Sequence, residues 1–149
     1  MSAAPPLAYI YDRCATDNRV VLDLRLQALG EYVTERGWGW GGSWVDKGDR
    51  ALISDDRPAF DTLVRSMEAS LGRERVCLVY DWGRLCHDRI HRQVFARRIL
   101  LAGGWLSTIS GDIVRHGAIE GSLTTAPQDV RVAELGSLGV AARAERGLR

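Results

Sequence analysis

Lysine is almost absent from this chain: Lys47 stands alone against nineteen arginines. A lysine-rich tail of the kind that coats nucleic acid or anionic lipid is therefore excluded. The bias itself has two readings. It follows from a GC-rich coding sequence, or from a need for the planar guanidinium, which meets phosphate in a fixed two-pronged geometry. Charge of one sign is also lacking, because the net charge is only +1 and the molecule as a whole is no electrostatic glove for a polyanion. Cysteine is scarce, with Cys14, Cys77 and Cys86 too few and too irregularly spaced for a disulfide framework. A reducing cytoplasm is the expected compartment. No apolar run approaches the roughly 18 residues that span a bilayer, so no membrane partner is expected. Met1–Pro6 has neither the basic start nor the apolar centre of a signal peptide. No internal repeat is visible.

What is present is the material of a folded domain: 149 residues, 46% hydrophobic and 26% charged. Leu7–Ala15 alternates around Tyr9, Ile10 and Tyr11 and reads as a strand. Leu22, Leu26, Leu29 and Val33 then repeat at helical spacing over Arg19–Arg36, and Gly37 supplies the stop. Trp38–Val45 reads as a second strand that runs into a polar loop from Asp46 to Asp56. Pro58 suits the first turn of a helix with Asp56 as its cap, and Phe60, Leu63, Val64, Met67 and Leu71 form its apolar face before Gly72. Val76–Tyr80 is a short strand of the kind buried on both sides. Asp88–Ala102 is predicted to be a helix with Ile90, Val94 and Leu101 on its apolar stripe, and Trp105–Ser110 a further strand. Strands alternating with helices predict an α/β fold: a mainly parallel sheet of four to five strands with helices on both faces. Two regions follow, a domain over residues 1–110 and a tail over 111–149 in which Pro127–Arg146 forms a last helix.

The residues at the element junctions resemble the catalytic domain of serine recombinases, the resolvase and invertase family. That family opens with Tyr-x-Arg-x-Ser-Thr, and Tyr11-Asp12-Arg13-Cys14-Ala15-Thr16 stands in its place. A helix ending near Gly-Trp is matched by Arg19–Arg36 and Gly37-Trp38, and Arg-Pro-x-Phe by Arg57-Pro58-Ala59-Phe60. The loop Asp-Arg-Leu-x-Arg-Asp corresponds to Gly83-Arg84-Leu85-Cys86-His87-Asp88, and Gly104-Trp105-Leu106 to the opening of the family's fourth strand. The resemblance implies a resolvase-like sheet and strand cleavage by a serine that attacks a DNA phosphate. Here the departures matter most. The serine position is Ala15, whose methyl group cannot react, so no catalytic residue set is intact. The loop aspartate corresponds to Gly83, the second loop arginine to His87, and two glutamines of the first helix to Arg19 and Arg25. Arg13, Arg57 and Arg84 remain, with His87, as a phosphate- or DNA-holding set. Neighbouring Cys14 and Thr16 are expected on the opposite strand face from position 15.

Other features carry more than one reading. His87-Asp88-Arg89-Ile90-His91 resembles a zinc helix, yet it lacks a third ligand, and no metal or other cofactor is expected. Trp38, Trp40 and Trp44 would share one strand face, free to stack on bases or to pack against a helix or subunit. Arg84–Arg98, with five arginines and Asp88 as its one acid, is either a solvated face or a phosphate-facing one. The resulting expectation is a catalytically degenerate recombinase-like protein. It would act as a homodimer, the tail residues Val132, Leu135, Gly139 and Ala142 giving its seam, and bind DNA weakly and without sequence preference, alone or beside an intact recombinase. The alternatives are an active site-specific DNA recombinase or phosphoryl-transfer enzyme with an unrecognised nucleophile, and a pure protein-interaction module.

Overall fold

Strand β1, Leu7–Cys14, is the spine of the fold, and all but its first residue are buried. The computed structural model describes residues 4–14, 18–48, 56–70 and 72–115. After β1 come helix α1 (Arg19–Arg36), β2 (Gly39–Lys47), α2 (Pro58–Ala69), β3 (Arg75–Val79), a single turn α3 (Trp82–Leu85), α4 (Arg89–Leu101), β4 (Trp105–Thr108) and β5 (Ile113–Val114). The sheet order is β2-β1-β3-β4-β5. The first four strands run parallel, and β5 returns antiparallel along β4. β3 is buried at every residue, as a strand covered on both faces must be.

Alternation along β1 sends its side chains to two different layers. Tyr9 and Tyr11 face α2, where the Tyr11 ring meets Phe60 edge-on and Phe60 in turn meets Phe95 of α4. Asp12 points the other way, to Arg25 of α1. Helices therefore cover both faces, α1 on one and α2 with α4 on the other. α1 keeps the expected limits: Leu22, Leu29 and Val33 are buried, and Gly37 closes the helix in the left-handed conformation at φ 72°. The helix expected over Pro127–Arg146 lies outside the described residues.

Three expectations about faces and caps are corrected. In α4 the buried residues are Phe95, Ala96, Ile99 and Leu100, whereas Ile90, Val94 and Leu101 are exposed. The sequence offers two apolar stripes there, and the one carrying Phe95 joins the aromatic cluster. The cap of α2 is not Asp56. Asp46, at the end of β2, accepts the N–H groups of Ala59 (2.8 Å) and Phe60 (3.1 Å). The tryptophans do not share a face either. A bulge in β2, where Ala8 pairs with Trp40 but Tyr9 with Gly42, reverses the alternation. Trp44 stacks on Tyr9, while Trp38 lies edge-on to Tyr32 of α1 and to Trp105. Gly42 makes the bulge possible: its φ is +134°, and a Cβ there would stand 2.7 Å from the Trp44 ring.

Candidate functional site

In a parallel sheet of this order the strand connections diverge on either side of β1 and β3, and the crevice at their carboxyl ends is the usual binding place. Here that edge carries the end of β1, the end of β2 and the α3 turn. Arg13 is wholly buried and donates from Nε (3.1 Å) and Nη2 (2.8 Å) to the carbonyl of Gly83. Arg84 reciprocates, its Nη1 donating to the carbonyl of Arg13 at 2.9 Å. Arg57, buried at the start of α2, donates from Nη1 to the carbonyl of Leu85 and lies over the Phe95 ring at 4.2 Å. Arg92 of α4 donates to the carbonyls of Cys86 (2.9 Å) and His87 (3.4 Å). The structure thus brings Arg13, Arg57 and Arg84 together around one turn, joined by Arg92, which the sequence did not single out.

The electrostatics of the cluster are those of unneutralised cations. Burial lowers the Arg13 pKa, and the guanidinium groups of Arg57 and Arg84 lower it further. Arg92 is pulled down to about 10 by burial. His87 is exposed at the rim, and its imidazole is held below the usual range by Arg13 first, then by burial, Arg84 and Arg92. Two donors, Arg13 Nη1 and Arg57 Nε, are buried with no hydrogen-bond partner among the described residues. An unmatched buried donor on a cation is costly, and an anionic oxygen is the ligand that would satisfy it.

Position 83 matters in a second way. A Cβ built on Gly83 would lie 3.1 Å from a carboxylate oxygen of Asp81 and 3.7 Å from Nδ1 of His87. Asp81, which caps the α3 turn by accepting from the Arg84 N–H at 3.1 Å, and His87 therefore flank the place where a side chain at 83 would project. Ala15, at the family's serine position, lies outside the described residues.

Around the cluster, two carboxylates have structural duties. Asp12, fully buried, receives Arg25 through two bonds of 2.8 Å. Asp46 accepts the Tyr11 hydroxyl at 2.8 Å besides capping α2, and burial together with that carboxylate raises the Tyr11 pKa. No sequence signal marked Asp46, because its partners lie 13 and 14 residues on, across the polar loop. Arg19 is exposed and pairs with Asp23 at 3.8 Å.

The zinc-like pair is taken apart by the helix start. Asp88 is the N-cap of α4, accepting from Ile90 N–H at 3.2 Å, so His87 precedes the helix that carries His91. Among the described residues no three His, Cys, Asp or Glu side chains gather where they could hold a metal. Likewise, no helix among them is long and apolar enough to cross a membrane.

No protein-family model matches the chain, and no curated protein sequence does. Solved structures do match. The N-terminal catalytic domain of TP901-1 integrase superposes with a TM-score of 0.59 at 20% identity, covering 70% of this chain and 77% of that one. A resolvase family site-specific recombinase from Streptococcus pneumoniae gives 0.60 at 15% identity, covering 72% and 75%. The C-terminal catalytic domain of ISC1926 TnpA, an IS607-like serine recombinase, gives 0.59 at 17% identity, covering 69% of each.

Proposed function

We propose that this chain binds DNA through phosphates without cutting it, as an accessory or regulatory homodimer of a recombination system. Its fold is that of solved serine-recombinase catalytic domains, and its cationic turn stands at the carboxyl edge of the sheet. The observation that supports this reading best is the pair of buried donors on Arg13 and Arg57 that no described residue matches, set beside Arg84, Arg92 and His87. A phosphate oxygen fits such donors, and at position 15 an alanine leaves nothing to attack it. Cys14 is a poor substitute nucleophile, since it is buried and burial raises its thiol pKa. Phosphate contacts position a protein but carry no direct base information, so sequence preference should be slight.

One observation favours a second reading, that of an interaction module without DNA. Arg13, Arg57 and Arg84 each already donate to a main-chain carbonyl and so brace the turn. Fluorescence anisotropy on unrelated duplexes across a salt series separates the two. DNA binding predicts similar affinities for all sequences and a log–log salt slope that Arg84→Ala reduces by about one. Undetectable binding at low salt leaves the bracing role alone.

A further inference from the structure

We propose that His87 makes the anion site pH-dependent: as an imidazolium it joins Arg13 and Arg84 in holding a phosphate, and as a neutral imidazole it does not. The inference rests on the phosphate-binding reading and adds its regulation. It begins from placement. His87 follows the α3 turn whose carbonyls are gripped by Arg13, Arg57 and Arg92, and its Nδ1 lies 3.7 Å from where a Gly83 Cβ would stand. With no side chain at 83, the imidazole overlies the very residue to which Arg13 is bonded. His87 is exposed, whereas Arg13 and Arg57 are buried, so the imidazole is the rim group and the guanidinium groups are the floor.

The charged groups around it come from three elements. Arg13 projects from β1, Arg84 and Asp81 from the α3 turn, and Arg92 from α4; only Asp81 favours the protonated ring. The adjacent Asp88 is turned to the N–H of Ile90 and to His91. Without a bound anion these three cations outweigh the one carboxylate and hold the ring's pKa below the ordinary imidazole range. A bound phosphate offsets those cations, so the ring takes up a proton from solvent as the anion arrives. Linkage then fixes the sign: affinity rises as pH falls, by at most about tenfold per pH unit for one proton. Duplex phosphodiesters do not titrate in this range, so the dependence belongs to the protein.

The test is duplex affinity by anisotropy from pH 8.0 to 5.5 at constant low salt, for the full chain, His87→Gln and His87→Arg. In parallel, NMR follows the His87 ring proton against pH with and without sulfate. The expected result is a wild-type affinity that climbs severalfold on acidification, a flat profile for His87→Gln, and a flat profile for His87→Arg at least as tight as wild type at pH 5.5. Sulfate should move the His87 titration midpoint upward. A wild-type slope retained by His87→Gln overturns the inference, as does a His87 midpoint that sulfate leaves in place. Absence of duplex binding at every pH overturns the DNA reading instead, while the sulfate titration still decides the role of His87.

Discussion

Arg25 meets Asp12 with both Nε and Nη2 at 2.8 Å, and the carboxylate it meets is completely buried beneath α1. The hydrogen bonds that Asp12 accepts raise the pKa of Arg25 above its ordinary value, so the guanidinium keeps its charge. Removing one partner of such a pair strands the other charge in the interior, at a cost of about 3–5 kcal/mol. Arg25→Ala should therefore lower the urea midpoint sharply, and Asp12→Asn added to it should recover part of the loss. Independent, additive losses from the two substitutions would mean that the pair is not coupled.

Asp46 ties three groups to one carboxylate: the Tyr11 hydroxyl and the N–H groups of Ala59 and Phe60. Asp46→Ala removes a helix cap, worth about 1 kcal/mol, and leaves a buried hydroxyl unmatched, worth about 1–3 kcal/mol. The expected loss by chemical denaturation exceeds that of Tyr11→Phe, which removes only one of the three bonds. A double-mutant cycle between positions 46 and 11 should show clear coupling.

Restoring a nucleophile should not restore cleavage. Ala15→Ser supplies a hydroxyl, but the loop would still carry Gly83 and His87 where the family pattern has aspartate and arginine. Catalytic groups that act as a unit do not return singly. Incubated with supercoiled plasmid, Ala15→Ser should give no more nicked product than wild type. Efficient nicking would show that the rest of the site is competent.

The cysteines should be silent in the folded protein. All three are buried; burial pushes the Cys77 thiol up to about 12 and raises Cys14 as well. A raised thiol pKa lowers the thiolate fraction at neutral pH, and the thiolate is the reactive form. With a colorimetric thiol reagent at pH 8, Cys14 and Cys77 should react only at the rate of unfolding. Rapid labelling of Cys77 in the native state would contradict its place in β3.

Much of this fold was legible because its periodicities are simple. Leu22, Leu29 and Val33 mark one face of α1, Gly37 its end, and Val76–Val79 can hardly be anything but a central strand. The junction arginines were legible through the family resemblance, and the structure brings Arg13, Arg57 and Arg84 to one turn. What could not be read depends on contacts distant in sequence. α4 offers two apolar stripes, and only its packing through Phe95 against Phe60 chooses between them. The bulge at Gly41-Gly42 changes which tryptophans are neighbours without altering the strand's composition. Two-residue β5 is too short to have a period, and Asp46 looked like loop because its capping partners lie beyond that loop. Nor did spacing show that Gly83 lets His87 and Asp81 flank the Arg13 contact.

The bulge in β2 also bears on how this chain behaves in concentrated solution. β2 is the outermost strand, paired with β1 on one side and with no other strand among the described residues. A long, regular free edge is a template onto which another extended chain can add, the first step towards aggregation. The extra residue at Gly41-Gly42 interrupts the outward row of N–H and C=O groups, and bulged strands also twist more strongly. A partner strand in register with Gly39-Trp40 would fall out of register by Ser43. The two glycines that turn Trp44 onto Tyr9 therefore also guard the edge, keeping exposed Trp40 from becoming the start of a growing sheet.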